Sequence, residues 1–213
     1  MATLPTGTIY AVATVFAAPR TITAITNAVE GVVTSAAHGY TDGTILQITS
    51  GWGRLNRRVV RVKGSTVNTF VMEAIDTTNL AFYPAGSGLG TARSITTFQQ
   101  INSILNPSAS GGEPKTVTVK FLASDVETKL NDGFAAISES FDIDADEFGG
   151  AAYTALVTLS EVQTDTVIRK TLRTGSTIFT PCRVSLNQNP KLTEGQIITN
   201  AASIDGNGLV TRY

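Results

Sequence analysis

The chain has 213 residues, which is enough for one large domain or two small ones, each with its own core. Only 15% of the residues are charged and the formal net charge is −1, which excludes a basic protein that wraps nucleic acid and indicates that partners cover much of the surface. The one cysteine excludes an intramolecular disulfide, and the sequence predicts neither a signal peptide in residues 1–19 nor a membrane span.

Strand patterns dominate the first half of the chain. Short stretches of Thr, Val, Ile and Phe alternate with Gly, Asn, Asp and Pro, which is typical of antiparallel sheets. The predicted strands are residues 21–26, 31–34, 44–49, 59–63, 69–73 and 93–98. Five bases cluster in the same region: Arg54, Arg57, Arg58, Arg61 and Lys63. Residues 21–93 therefore predict a compact small β unit.

A segment rich in Ser, Gly and Pro follows this unit. Residues 103–115 read Ser-Ile-Leu-Asn-Pro-Ser-Ala-Ser-Gly-Gly-Glu-Pro-Lys. Since Gly and Pro interrupt regular structure, this composition predicts a long loop.

The second half combines further strands with one helix. The predicted strands are residues 116–122, 134–143, 166–173, 177–186, 195–202 and 209–212. Residues 151–163 break the two-residue period, because their apolar side chains recur at helical spacing: Ala152, Ala155, Leu156, Leu159 and Val162. The sequence therefore predicts a mainly β fold, an antiparallel sandwich or barrel-forming sheet with one packed α-helix.

Candidate catalytic and metal-binding residues are sparse. His38 is the only histidine and is predicted in a turn, and Cys182 lies on the apolar row of its strand. Asp142, Asp144 and Asp146 imitate the start of a calcium loop, but the glycine and the glutamate that such a loop needs are missing. The glycines of residues 86–90 do not match a nucleotide-binding loop. We therefore expect no enzyme activity, cofactor or metal.

The small β unit carries a recognisable pattern. It combines residues 32–40 (Val-Val-Thr-Ser-Ala-Ala-His-Gly-Tyr), Asp42-Gly43, residues 46–52 and the segment Asn-Thr-Phe-Val-Met-Glu at 68–73. This pattern resembles a small β domain of phage tail proteins, often labelled after the first catalytic-cysteine half-domain of ubiquitin-activating enzymes. The segment contains no cysteine, so the label implies no chemistry.

The flanking regions resemble the major tail tube protein of long-tailed, siphovirus-type bacteriophages. The segments that carry this resemblance are residues 5–13, 114–121, 131–134, 153–156, 174–176 and 205–212. The resemblance implies a tail tube domain built from residues 1–20 and 94–213. The small β domain, residues 21–93, would be inserted after the first strand and project from the tube exterior.

The resemblance also implies a structural virion protein. Six copies would form a ring whose sheets join edge to edge, and stacked rings would form the tail tube that conducts the genome into the host bacterium. The implied partners are other copies of the chain, tape measure, tail tip and terminator proteins, and double-stranded DNA that passes without sequence-specific binding. We expect synthesis in the host cytoplasm and no membrane insertion. The alternatives are a β-sandwich surface or carbohydrate-binding module and, less favoured, an enzyme.

Acidic residues are concentrated between residues 125 and 147. This stretch has one base, Lys129, and eight acids: Asp125, Glu127, Asp132, Glu139, Asp142, Asp144, Asp146 and Glu147. It is interpreted either as a solvated edge or as the wall of a DNA channel, where negative charge would keep phosphates from sticking.

Strand periodicity then selects the residues that would face such a channel. In the predicted strand 134–143, Ile137, Phe141 and Ile143 share one face. The residues of the opposite row are predicted to face DNA: Ser138, Ser140, Asp142 and, just beyond the strand, Asp144. Glu139 falls on the apolar row, so we expect it at the sheet's rim or paired with a base, such as one from a neighbouring subunit.

Two uncharged or nearly uncharged segments are predicted to be contact arms between stacked rings, poorly ordered in the free subunit. They are residues 1–8 and the predicted loop 103–115, both marked by Pro and Gly. The candidate contact residues within the loop are Asn106, Pro107, Ser108, Gly111 and Gly112.

Overall fold

The computed structural model describes residues 6–123 and 125–213. The first half of the chain forms β1 (Ile9–Phe16), β2 (Arg20–Ile22), β3 (Ala24–Ile25), β4 (Val32–Thr34), β5 (Ile45–Ser50), β6 (Val59–Lys63), β7 (Thr69–Met72) and β8 (Gly90–Ile101). The second half forms β9 (Ile104–Ser110), β10 (Pro114–Val119), β11 (Thr128–Phe134), β12 (Ser138–Asp144), β13 (Thr166–Thr171), β14 (Thr177–Leu186), β15 (Thr199–Gly206) and β16 (Thr211–Arg212). A 3₁₀ turn (Ala145–Glu147) and the helix α1 (Ala151–Val162) lie between β12 and β13.

The strands form one long hydrogen-bonded path and one separate ribbon. The path runs β3-β4-β7-β6-β5-β8-β1-β13-β14-β15-β12-β9, with β2 added to β8 and β16 added to β14. Among the described residues every strand pair is antiparallel, and the path is open, with β3 and β9 at its ends. The ribbon consists of β10 and β11.

The long strand β8 connects two halves of this path. Its first residues, Gly90–Ser94, pair with β5, whereas Ile95–Ile101 pair with β1. Residues 21–93, called the small unit below, lie on the β5 side of this division. The elements on the β1 side are called the body: β1, the second half of β8, β9, β12–β16 and α1.

The small unit and the body have separate hydrophobic cores. The core of the small unit consists of Ile22, Ile25, Val33, Leu46, Ile48, Trp52, Leu55, Val60, Val62, Phe70, Met72, Ile75, Tyr83 and Ala92. In the body, α1 covers the sheet by packing on β14 and touching β1 and β8. A third, smaller cluster joins the two, with Val59 of the small unit against Ala13, Val167 and Phe179 of the body.

Much of the predicted secondary structure is confirmed. The fold is mainly β, the strands at 44–49, 59–63 and 177–186 are present within one or two residues, and α1 differs from the predicted helix 151–163 only in ending at Val162. Gln163 closes the helix with φ 54°, and its backbone N–H donates to the carbonyl of Leu159.

The prediction of a long loop at 103–115 is wrong. Most of this segment is the strand β9, which pairs with β12, and β10 begins at Pro114. The sequence signal failed because Pro107 is acceptable in a strand at the edge of a sheet, where its missing N–H costs no ladder bond.

The prediction of a single strand at 134–143 is also wrong, because residues 135–137 separate β11 from β12. At this break the two chain segments approach closely. Gly111 has φ +85°, and a Cβ placed on it would lie 1.9 Å from the carbonyl oxygen of Ala136. The junction between β9 and β10 therefore requires glycine.

Residues 1–5 of the predicted N-terminal arm lie outside the described residues, whereas Thr6 and Gly7 form a turn before β1. No helix in the described ranges is long and apolar enough to cross a bilayer.

Candidate functional site

The outer row of β12 is the first candidate surface. Glu139, Phe141 and Ile143 are buried, while Ser138 and Ser140 are exposed on the opposite face. Asp142 and Asp144 belong to the same outer row and are half-buried. The strand lies between β15 and the edge strand β9, so this polar row runs along the last strands of the sheet.

Glu139 has its partner within the same chain. Its carboxylate is 6% exposed and forms an ion pair with the ammonium group of Lys170 on β13, which is 15% exposed. The expectation that Glu139 pairs with a base is therefore confirmed, but the base belongs to the same chain and not to a neighbouring subunit, and the pair is buried and not at the rim. Sequence reasoning missed this pair because 31 residues separate the two side chains and only the folded sheet brings them together.

The two carboxylates of the outer row have partners within the chain. Asp142 accepts from Lys191 Nζ at 2.7 Å, and its other oxygen lies 3.5 Å from Asn106 Nδ2. Asp144 accepts from the backbone N–H of Asp146 at 3.0 Å and thereby caps the 3₁₀ turn. The two serines are thus the more exposed members of the row, and Asp142 is not an isolated charge.

The bases of the small unit form contacts within the chain. The guanidinium of Arg57 pairs with Asp165 at 2.9 Å, and Arg58 Nε donates to Thr211 Oγ1 at 3.2 Å. Lys63 pairs with Glu30 at 2.8 Å. These bases therefore do not form one open positive surface.

Asp165 is the centre of the joint between the small unit and the body. Its carboxylate forms an ion pair with Arg57 of the small unit. Within the body it pairs with Arg183 at 2.8 Å and accepts a hydrogen bond from Asn207 Nδ2 at 2.9 Å. No local sequence signal indicates this role, because Asp165 stands alone between α1 and β13.

Tyr213 forms the second half of the joint. Its hydroxyl accepts from the backbone N–H of Arg61 at 2.8 Å and lies 3.3 Å from the carbonyl oxygen of Glu73. The guanidinium of Arg61 lies 4.4 Å from the Tyr213 ring and also pairs with Glu73. Burial raises the pKa of Tyr213, which keeps its hydroxyl protonated and able to donate.

The ribbon is the second candidate surface. It continues beyond β9 and β12, because the backbone N–H of Gly112 donates to the carbonyl of Ala135, and that of Ala135 to Glu113. Its strands are almost wholly exposed, in contrast to the body sheet. The predicted contact residues are divided between two places: Asn106, Pro107 and Ser108 lie in the edge strand β9, and Gly111 and Gly112 lie at the base of the ribbon.

His38 and Cys182 are packed in cores. His38 Nδ1 accepts from the backbone N–H of Tyr40 at 3.0 Å, and its ring stacks on that of Tyr40. Burial raises the pKa of Cys182 to about 12, so its thiol stays protonated and unreactive at neutral pH. In residues 6–123 and 125–213 no group of three or more His, Cys, Asp or Glu side chains could hold a metal ion.

Known proteins similar to this chain include one family and chains of two solved particles. The model of the family described as "Phage tail tube protein, TTP" matches residues 50–213. One similar solved chain comes from the virion of a native gene transfer agent particle, with 13% identity, a TM-score of 0.44, and coverage of 55% of this chain and 88% of that one. Another comes from the tail of an empty gene transfer agent particle with C6 symmetry, with 14% identity, a TM-score of 0.43, and coverage of 55% and 86%. None of the curated proteins compared with the chain matches it.

Proposed function

Because the chain belongs to the phage tail tube protein family, its role is that of a structural tail tube subunit, and we propose that six copies form a ring and that stacked rings conduct the genome. This family match favours the structural role over a carbohydrate-binding module or an enzyme. The family places the protein in the virion tail.

One structural observation carries the assembly proposal: the body sheet is open at β9. An edge strand exposes unpaired N–H and C=O groups, which are a template for pairing with another chain. In the described part of the chain the path of paired strands ends at β9, which holds Asn106, Pro107 and Ser108. Pairing of this edge with the neighbouring subunit would continue the sheet around the ring and remove the open edge.

The outer row of β12 is proposed to face the lumen. This row, Ser138, Ser140, Asp142 and Asp144, lies next to the proposed subunit boundary at β9 and is polar. Small hydroxyl groups and partly neutralised carboxylates offer phosphates no positive charge to bind. DNA would therefore pass without being held through counterion release.

The small unit is proposed to be an inserted domain on the tube exterior. Two features support this position: its core is closed by its own residues, and its bases are used in contacts within the chain. Tape measure, tail tip and terminator proteins are the proposed further partners, and the host cytoplasm is the proposed place of synthesis.

The lumen proposal is tested with Ser140→Lys, which adds a cation to the outer row of β12. Virions carrying this variant should contain tubes of normal length by electron microscopy but release DNA more slowly at low salt. The defect should ease as salt screens the added charge. The matched control is Val29→Lys, which places the same charge on an exposed position of the small unit.

Normal DNA release in the Ser140→Lys virions at low salt, with tubes intact, would show that this row does not face DNA. Hollow tubes or rings formed by the wild-type protein would be the direct evidence for assembly. A wild-type protein that stays monomeric at high concentration and in the presence of tail tips would contradict the ring proposal.

A further inference from the structure

A cleft of about 240 Å³ lies beside Asp165, at the joint between the small unit and the body. The residues that line this joint cleft are Gln47 and Thr49 of β5, Asn56, Arg57, Arg93 of β8 and Asp165. One water molecule takes up about 30 Å³ in the liquid, so the joint cleft has room for a larger polar ligand.

Gln47 contributes a buried hydrogen-bond donor to the joint cleft. Its side chain is in a residue that is only 3% exposed, and its Oε1 accepts from Arg93 Nε at 3.0 Å and from Arg93 Nη2 at 2.6 Å. These two hydrogen bonds fix the orientation of the amide, so its other end is the donor Nε2. Nε2 has no hydrogen-bond partner among the described residues. A buried donor in this state is costly unless a group from outside the chain accepts from it.

Arg93 contributes a cation that has no ion pair. Besides Gln47, its guanidinium contacts the backbone carbonyl of Asp165, 3.4 Å from Nη2, and the ring of Phe16, 3.9 Å from Cζ. Burial lowers the pKa of Arg93, although the charge of Asp165 acts in the opposite direction. Within the described ranges no carboxylate forms a salt bridge with Arg93, because that of Asp165 pairs with other arginines.

The other groups of the joint cleft add donors and positive charge. Asn56 Oδ1 accepts from the backbone N–H of Ser50 at 3.4 Å, which leaves the NH2 of this amide as a donor. The carboxylate of Asp165 is offset by two guanidinium groups, since both Arg57 and Arg183 pair with it. Together with the unpaired guanidinium described above, three cations surround one carboxylate, so positive charge is in excess.

This excess of donors selects the class of ligand. A water molecule donates as well as accepts and therefore needs acceptors of its own, which are scarce here. An oxyanion only accepts, and hydrogen bonds between an ionised acceptor and a guanidinium are the strong ones. We propose that the joint cleft binds a small oxyanion of the size of phosphate, held by Gln47 Nε2, Asn56 Nδ2 and the guanidinium groups of Arg57 and Arg93.

The bound ion would supply the counter-charge for Arg93 and the acceptor for Gln47. Because Asp165 of the body forms one wall of the joint cleft, the site is complete only when the small unit lies against the body. The site lies within one subunit and does not depend on the proposed tube.

Binding is measured by isothermal titration calorimetry with inorganic phosphate, at constant ionic strength set with sodium chloride. We expect one saturable site per chain. Asn56→Asp replaces a donor by a carboxylate oxygen and should weaken binding at least about tenfold. The matched control is Asn68→Asp, which adds the same charge to an exposed asparagine whose Oδ1 likewise accepts from a backbone N–H, that of Ala37. No binding by the wild type, or equal weakening in both variants, would overturn the proposal.

Stability supplies the second measurement and also shows whether Asn56→Asp folds. In chloride alone its urea midpoint should equal or exceed that of the wild type, because the new carboxylate supplies the counter-charge itself. Phosphate stabilises proteins generally by exclusion from their surface, so a rise shared by all variants is the background. Beyond this background, phosphate should raise the midpoint of the wild type and of Asn68→Asp but not that of Asn56→Asp. An equal rise in all three would show that the ion does not bind in the joint cleft.

The side-chain amide of Gln47 locates the ion, and DNA distinguishes the source of the phosphate. The NMR resonances of this NH2 group should move as inorganic phosphate is added to the wild type and stay in place in Asn56→Asp. A short DNA duplex at the same phosphate concentration should leave them unchanged. Movement caused by the duplex and not by inorganic phosphate would overturn the assignment to a free ion.

Discussion

The small unit and the ribbon are both made of short antiparallel strands, but they differ in how far their apolar side chains are buried. In the small unit Trp52, Phe70 and Met72 are wholly buried. Three of its bases, Arg57, Arg61 and Lys63, pair with acids within the chain. In the ribbon Val117 and Leu130 remain half exposed. The difference indicates that the small unit buries its apolar side chains on folding, whereas the described part of the chain leaves those of the ribbon half exposed.

The largest expected effect comes from truncating the core of the small unit. Phe70→Ala removes a ring that packs edge-on against His38 and Tyr40, and we expect it to lower the free energy of unfolding by about 3–5 kcal/mol. Leu130→Ala in the ribbon should change this free energy by only about 0.5 kcal/mol or less.

Urea titration measures both variants, and the fluorescence of Trp52, the only tryptophan, reports on the small unit directly. Comparable losses in the two variants would mean that the ribbon is already packed within the free subunit and would remove the contrast between the two regions.

The next effect concerns the buried ion pair of the body. Lys170→Met leaves the Glu139 carboxylate without its cation in the core, and we expect a loss of about 3 kcal/mol. The double variant Lys170→Met, Glu139→Gln should recover much of this loss, because no unpaired charge then remains buried. Lys129→Met, on the exposed polar face of the ribbon, is the control and should be close to neutral. No recovery in the double variant would show that packing, and not charge, sets the cost.

A smaller effect is expected at the joint. Asp165→Asn removes the ion pairs with Arg57 and Arg183, which are half exposed, so the loss of stability should be about 1 kcal/mol. Hydrogen exchange should nevertheless rise at the backbone N–H of Arg61, since the small unit is held less firmly against Tyr213. Glu161→Gln, an exposed acid on α1, is the matched control. Unchanged exchange at Arg61 would show that Tyr213 holds the joint without Asp165.

The smallest expected effect is a loss of stability of the small unit at acidic pH. The hydrogen bond from Arg61 lowers the pKa of Glu73, and that from the backbone N–H of Ala74 lowers the pKa of Glu30. A lowered folded-state pKa contributes stability above the unfolded value of 4.5, and this contribution is lost as pH falls through the folded pKa. The urea midpoint followed by Trp52 should therefore fall below pH 4.5 in the wild type. A Glu73→Gln variant with an equally steep decline would show that this carboxylate is not responsible.

Local periodicity predicted the elements whose signal lies within the element. The alternation in β14 and the helical spacing of Ala152, Leu156 and Leu159 were sufficient to locate a strand and a helix. The strand β9 was missed because its composition is that of a loop, and its structure depends on pairing with β12, about 30 residues later in the chain. Pairing between distant segments has no local sequence signal.

The candidate surfaces likewise combine features that the local sequence predicts with features that it does not. The two-residue period correctly separates the buried row of β12, with Phe141 and Ile143, from the outer row with Ser140. The sequence also shows that Glu139 needs a partner, because an unpaired buried carboxylate is costly. It does not show that the partner is Lys170, nor that Asp165 collects bases from two regions of the chain.

The sequence by itself thus determined the β-rich class, the single helix, the alternation of faces and, through its resemblance, the family. The tertiary structure decided which charges are neutralised, where the small unit is attached to the body, and that the ribbon exposes Val117 and Leu130 on one face. Periodicity is a property of neighbouring residues and can be read locally, whereas ion pairs, sheet edges and exposed apolar faces depend on which distant segments meet.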